Sequence, residues 1–383
     1  MIRQFLTLSA GEGAARGLHS IAFLLLARGV GPQALGEFGV AQATVSYGLM
    51  AVQRGLDLPA ILRVTKEPGG AGALRAAMVR LRLPVFLVLL VGALAWGNGL
   101  VLAMAGMWLA AALQPRWLLL ARQKGQSVAV AAVVASFVFF AASAAGLPLV
   151  WVAASLSVGE LLGAWWLWRE AGSDLVEGPR IDGTLQREAW PFFASLLLGN
   201  LLYNSDVFVL GALRDSVEVG LYVAAFRLIT VISPILGALQ NSSLPIFGNL
   251  YPDGAAAGKL AFRVWSGSVL VSVGLGLVLA LTAGVFVPLL YGEGFGAAVP
   301  LVAVLAAVLP VQVTRMVYRQ ALLAFKGEWR DLVHLGVSVG LSLTLNLVLA
   351  PVYGAMGCAI STVCAESCFA FLTWREWRRV ACA

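Results

Sequence analysis

Residues 83–121 read LPVFLVLLVGALAWGNGLVLAMAGMWLAAALQPRWLLLA, an apolar run of 39 residues with one charge, Arg116. A helix crossing a bilayer needs roughly 20 residues. The run therefore reads as two short spans, 83–98 and 100–121, parted by a tight turn at Trp96-Gly97-Asn98-Gly99. Glycine flanking asparagine is turn chemistry, and nothing else in the run breaks it. Outward from this pair, runs of spanning length fall at 5–27, 34–61, 128–146, 148–168, 189–212, 217–248, 262–290, 297–323, 331–350 and 354–374. The pattern is that of an all-α polytopic membrane protein with about twelve transmembrane helices.

Composition agrees. Sixty per cent of the 383 residues are hydrophobic, 12% are charged, and the mean hydropathy is +0.88. A soluble fold cannot hide that much apolar surface, because much of any fold stays in contact with solvent. The net charge of +7 would suggest nucleic acid in a soluble chain. Here it follows from cations gathering on the cytoplasmic side, so no nucleic-acid partner is expected. The first apolar run carries Glu12, Arg16 and His19 and no small-residue cleavage site, so it is read as a span rather than a signal peptide.

The cations set the topology. With the N-terminus inside, 18 of the 26 Lys and Arg fall on inner segments, six within spans, and only Arg28 and Arg214 on outer loops. That asymmetry puts both termini in the cytoplasm.

The chain also repeats. Gly36-Glu37-Phe38-Gly39-Val40-Ala41 resembles Gly220-Leu221-Tyr222-Val223-Ala224-Ala225; Lys124-Gly125 matches Lys326-Gly327; Glu160 with Trp168-Arg169-Glu170 matches Glu366 with Trp374-Arg375-Glu376. Two halves of six spans enter the membrane in the same sense, as a parallel repeat. The expected organisation is an N-lobe over 1–170, a cytoplasmic linker over 171–188 and a C-lobe over 189–383. Two facing lobes would enclose a central cavity with alternating access, and a monomer is the expected working unit.

Three segments carry a family pattern. They are Leu26-Ala27-Arg28-Gly29-Val30-Gly31-Pro32 leading to Leu35-Gly36-Glu37-Phe38-Gly39 and Arg54-Gly55-Leu56; Asp206 through Val219 to Leu228; and Asn346 through Pro351-Val352-Tyr353-Gly354 to Ala359. In that order on twelve spans, they resemble the polysaccharide-export branch of the MOP superfamily, the Wzx-type O-antigen and exopolysaccharide flippases. The resemblance implies a MOP-flippase-like pair of lobes in the bacterial inner membrane. Its cargo would be an undecaprenyl-diphosphate-linked glycan, drawn from membrane lipid and shared with glycosyltransferases and a polysaccharide polymerase.

Ionisable groups at membrane depth are costly unless they face protein or water, which makes each a candidate site. Glu12, Arg16 and His19 share one helical face. Arg16 is the first candidate for gripping a diphosphate, because a guanidinium holds phosphate oxygens bidentately; the alternative is a structural pair with Glu12. Arg227 is the candidate in the second half, or a partner of Asp206. Arg54 and Asp57 read either as a charge pair at a hinge or as cargo contacts. Arg116, Arg315 and Arg319, near inner helix ends, are expected to snorkel to headgroups. Glu160 and Glu366 are candidates for ion coupling or retained packing positions. Asn200, Asn204 and Asp206, with Gln240 and Asn241, could hydrogen-bond sugar or one another. Pro59, Pro245 and Pro351 are expected to bend or end helices.

No cofactor or metal is implied. Cys358, Cys364, Cys368 and Cys382 form no CxxC and read as small packing residues. No P-loop occurs, and the one GxSxG string, Gly336-Val337-Ser338-Val339-Gly340, lies inside an apolar run rather than at a strand–turn–helix elbow. An ion-coupled multidrug exporter of the same superfamily would favour acidic cavity residues, whereas six Arg lie within spans against five carboxylates. A membrane polymerase or ligase would need a large outer catalytic loop, and the outer loops are short.

Overall fold

The computed structural model describes residues 2–172, 184–241 and 244–382, with side chains left aside at 2–6, 68, 234–245 and 382. Fifteen α-helices follow in order: α1 Ile2–Gln53, α2 Asp57–Lys66, α3 Ala71–Trp96, α4 Gly99–Met104, α5 Gly106–Leu113, α6 Arg116–Ala121, α7 Gly125–Ala144, α8 Leu149–Ala171, α9 Thr184–Leu213, α10 Ser216–Asn241, α11 Leu244–Leu250, α12 Gly254–Tyr291, α13 Val299–Leu305, α14 Val308–Ala324 and α15 Glu328–Cys382. No strand occurs among the described residues.

Among the described residues the apolar runs fall largely on helix. Seven of the described helices are long and apolar enough to span a bilayer, or eight if the bent pair around α13 and α14 counts as one. The expected turn at 97–99 is present: Gly97 takes φ 73°, and Asn98 caps α4 by accepting from the N–H groups of Leu100 and Val101, both at 3.1 Å. The segment 100–121 is three short helices, parted at Ala105 and, because Pro115 can neither donate nor continue α5, again at 114–115. The runs 5–27 and 34–61 are parted inside α1 by the non-helical Gly31 (φ 77°), the second run turning at Arg54–Leu56 into α2, and 331–350 and 354–374 are parted inside α15 by Gly354 (φ 57°). The apolar faces are bare. Leu281 on α12 is 83% exposed and Val88 on α3 is 72% exposed, surfaces that only lipid covers without cost.

The residues group into two compact units: Met1–Val30 with Val40–Leu197, and Gly31–Gly39 with Leu198–Ala383. A short piece of α1 groups with the second unit.

In the first unit, the end of α8 gathers three cations. Lys124 donates to Glu170 O at 3.0 Å, Arg122 to Ala171 O at 2.9 Å and Arg75 to Gly172 O at 2.8 Å. A helix C-terminus exposes carbonyls that carry partial negative charge, and cations there satisfy both needs. Three segments read as lying on one side of the membrane therefore share one end of this unit. Arg75 and Arg82, counted from sequence among loop cations, are in fact 2% and 1% exposed within α3.

In the second unit, Arg214 and Glu218 splint the α15 break. Arg214 donates to Ala350 O at 3.1 Å and Pro351 O at 2.9 Å, while Glu218 accepts from Ala355 N at 3.0 Å. One side chain satisfies the end of the first half-helix and the other the start of the second.

The internal repeat is visible in contact as well as in sequence. A β-carbon on Gly36 would run into Ser216 O, and one on Gly220 into Pro32 O. Pro32 and Ser216, like Gly36 and Gly220, are 184 residues apart, so the crossing is symmetric about the repeat. Absence of a side chain lets the backbones touch. Further along, α6 and α14 end in matching Schellman caps. Gln123 (φ 57°) and Lys326 (φ 61°) occupy the left-handed positions, with Lys124 N to Leu119 O at 2.8 Å and Gly327 N to Leu322 O at 2.9 Å. The structural equivalence is Gln123 with Lys326, one residue off the Lys124-Gly125 match to Lys326-Gly327.

Candidate functional site

In the first unit, α1 carries Glu12, Arg16 and His19. Arg16 is 66% exposed and its guanidinium stands 3.8 Å from Glu12. The close partner of Glu12 is Arg116, which donates to it at 2.7 Å from the start of α6. Arg116, expected to snorkel, is instead an ion-pair partner across 104 residues of sequence. Glu160, half-buried on α8, lies within the electrostatic reach of the same Arg116. His19 packs its ring 4.8 Å from Phe139.

Arg54 and Asp57 do not pair. Asp57, at the start of α2, accepts from the buried Arg82 of α3. Arg54 is exposed, with φ 51°, and Gly55 follows at φ 65°. A cavity of about 390 Å³ opens beside it, between the end of α1, α3 and the start of α9. Arg54 and Gln186 are its polar groups; Leu56, Val85, Trp190 and Phe193 form its walls.

In the second unit the charges are closed. Arg315 on α14 donates to Glu366 on α15 at 2.8 Å and to the Tyr203 hydroxyl at 2.9 Å, with side-chain exposures of 8% for Arg315 and 2% for Glu366. Gln312 adds a longer bond to Glu366 at 3.5 Å, and Ser233 fixes Gln312 at 2.7 Å. Arg319 holds Asp331 with a bidentate grip at 2.8 and 2.9 Å. Neither arginine snorkels, because each has a carboxylate within its own unit. A guanidinium buried in hydrocarbon is tolerable only when so paired.

Asp206 on α9 is 1% exposed and does not pair with Arg227. It accepts from the Tyr222 hydroxyl and, at 2.8 Å, from Val207 N; Thr362 Oγ1 lies 3.0 Å from the Tyr222 oxygen and 3.5 Å from the carboxylate. Asn204 donates to Asn200 at 2.5 Å, one turn apart. Arg227 is half-buried on α10. Gln240, Asn241 and Pro245 lie outside the described side chains. Cys358 is buried and Cys364 exposed, and among the described residues no cluster of metal-ligating groups occurs.

The sequence reading missed Tyr222, Thr362 and Tyr203. Neutral hydroxyls carry no charge or hydropathy signal, although Tyr222 sits inside the repeated Gly-Leu-Tyr-Val motif.

Repeated bundles of apolar helices with arginines placed at depth define a class, and solved structures identify it. The chain has the fold of the MOP-superfamily transporters. It is similar to the lipid II flippase MurJ in an inward closed conformation, with a TM-score of 0.82 at 10% identity over 98% of this chain and 90% of that one. It is similar to an inward-facing MATE multidrug resistance transporter, at 0.79 and 15% over 96% and 95%. A MOP transporter from Pyrococcus furiosus aligns at 0.62 and 15% over 99% and 96%. Residues 1–251 match the family described as polysaccharide biosynthesis protein, and the chain belongs to that family. Among curated proteins, none matches the sequence. The protein is thus a multi-pass membrane protein of that family, with the fold that flippases and exporters of the MOP superfamily share.

Proposed function

We propose that this protein flips polyprenyl-diphosphate-linked oligosaccharide units from the inner to the outer leaflet of the bacterial plasma membrane. The lobes over 1–170 and 189–383 alternate access around the cargo, and both termini are cytoplasmic. One observation carries the reading: in a polysaccharide-biosynthesis chain, Arg16 stands exposed on an apolar helix while Glu12 is engaged at short range by Arg116. A guanidinium held so loosely is available to a diphosphate. Arg227 is the matching cation of the second half, and Asn200 and Asn204 offer amides to sugar hydroxyls. If a proton cycle drives transport, Glu160 is the better candidate, because Glu366 is locked to Arg315.

The test is reconstitution into liposomes with fluorescent undecaprenyl-diphosphate sugar. Leaflet transfer is read by an impermeant quencher, with and without an ion gradient. Transfer faster than in empty liposomes, lost in Arg16→Ala, is the expected result. Efflux of organic cations without transfer of the lipid would assign the chain to multidrug export instead, the activity named for the MATE structure it resembles.

A further inference from the structure

The cavity beside Arg54 stands apart from Arg16, the residue that carries the cargo reading. Its corner is rigid. Arg54 and Gly55 both take left-handed backbone angles, and a β-carbon on Gly55 would lie 2.6 Å from Phe193 N and 2.9 Å from Ala189 O. The corner is therefore pressed onto the backbone of α9. A non-glycine residue in that conformation is uncommon, and such residues gather at ligand sites.

The charge at this corner is uncompensated. The carboxylate nearest in sequence, Asp57, is taken by Arg82. Glu188, two residues from Gln186 on α9, is taken by Arg63 at 3.1 Å. Among the described residues Arg54 has no hydrogen-bond or ion-pair partner.

Surroundings and size narrow the ligand. Leu56, Val85 and Phe193 make an apolar wall, and the Trp190 ring, 65% exposed, stands 5.7 Å from that of Phe193. Tryptophan favours the membrane–water boundary. Next to the cavity, α2 exposes Leu58 (43%) and Leu62 (52%) one turn apart and ends in Arg63 and Lys66. That is the composition of a segment lying in the headgroup layer. At roughly 30 Å³ per water, the cavity equals about a dozen waters. It has room for a phosphate and the glycerol it esterifies, but not for an oligosaccharide.

We propose that this cavity is a seat for the phosphate of a membrane lipid, gripped by Arg54 and Gln186 with its apolar end against Leu56, Val85 and Phe193. Two lipids carry that group: an anionic phospholipid of the bilayer, and polyprenyl diphosphate without its sugar. The seat does not depend on the cargo assignment, since binding is read without transport.

The purified protein is incubated with phosphatidylglycerol, with polyprenyl diphosphate, or with a phosphate-free glycolipid, and retained lipid is counted by native mass spectrometry. Wild type should retain one phosphate-bearing lipid, and Arg54→Ala should bind it roughly tenfold more weakly or worse. Arg54→Lys should recover part of the affinity, and Arg263→Ala, at an exposed position on α12, should leave it unchanged. Dependence on Arg54 with phosphatidylglycerol assigns the seat to bilayer lipid; dependence only with polyprenyl diphosphate assigns it to a carrier lipid. Should Arg54→Ala fail to insert, Gln186→Leu and Trp190→Ala provide the same comparison. Equal retention of both phosphate lipids by wild type and variants, or equal retention of the phosphate-free glycolipid, overturns the proposal.

Discussion

In the second unit Arg315 meets Glu366 at 2.8 Å with both side chains nearly out of reach of solvent, whereas in the first unit Arg16 stands 66% exposed and 3.8 Å from Glu12. The contrast extends to the other charges. Asp206 is enclosed by Tyr222, Thr362 and Val207 N, and Asp331 by Arg319; Arg54 faces an open cavity. Duplication copied the scaffold and its caps without copying the chemistry. Arg116 and Arg319, equivalent in the register set by the Schellman caps, illustrate this. One reaches Glu12 on α1 and the other Asp331 on α15, carboxylates that are not themselves repeat-related. Arg315 and Arg319 in the second unit hold carboxylates of their own unit, while Arg16 and Arg54 in the first are exposed.

The largest effect that could break this comparison lies at Glu366. Glu366→Ala leaves the Arg315 cation buried above the Phe369 ring with only Tyr203 to meet it. Breaking a buried pair from one side costs about 3–5 kcal/mol. Thermal unfolding in detergent should show that loss, and the double change Arg315→Met with Glu366→Leu should restore most of it. A single variant as stable as wild type would mean that the second unit does not depend on its closed charges.

The glycine crossing comes next. Gly36→Ala and Gly220→Ala each set a methyl group against a backbone carbonyl, which a side-chain rotation cannot relieve. Overpacking of this kind costs about 1–3 kcal/mol. Because the two sites are related by the repeat, their losses should agree within about 0.5 kcal/mol. A large difference in melting temperature between the two variants would show that the symmetry is geometric but not energetic.

How far these features were legible in the sequence depends on the distance over which they act. The twelve apolar runs were readable because span length and hydropathy are local, and Gly97 and Asn98 marked their turn by their own conformational preferences. The separations between 5–27 and 34–61 and between 331–350 and 354–374 were readable as well, and each coincides with a non-helical glycine, Gly31 or Gly354. Charge partners were least legible. Glu12 with Arg116 and Arg315 with Glu366 are 104 and 51 residues apart, beyond any helical spacing rule. Arg54-Gly55 did carry a usable signal, since glycine after an apolar helical run marks a helix end. Read as part of a span over 34–61, that corner was overlooked.

A smaller loss is expected at the splint of α15. Arg214→Ala removes two charge-assisted bonds to Ala350 O and Pro351 O, and Glu218→Ala removes one to Ala355 N. Each change should cost about 1–2 kcal/mol, because the groups are partly open to water that can replace them. Amide exchange on either side of Gly354 should quicken in both variants, while exchange in α7 and α8 stays as in wild type. Unchanged exchange around Gly354 would mean that the bend is held by packing alone.

The smallest stability effect, and the one that sharpens the comparison most, belongs to Arg16. Its guanidinium is exposed and 3.8 Å from a carboxylate that Arg116 already holds at 2.7 Å. Exposed pairs contribute between zero and about 1 kcal/mol, and a shared one falls at the low end. Arg16→Ala should therefore shift stability by no more than about 0.5 kcal/mol. Transport of the diphosphate lipid should nevertheless fall to the level of empty liposomes, since no other group at that position can grip phosphate oxygens with two parallel bonds. Arg16→Lys separates charge from geometry, because an ammonium attracts the diphosphate but cannot hold it bidentately. Partial transport with Lys and none with Ala is the expected order. A variant that loses stability and transport together would place Arg16 with the structural charges of the second unit, and the division between the two units would not hold.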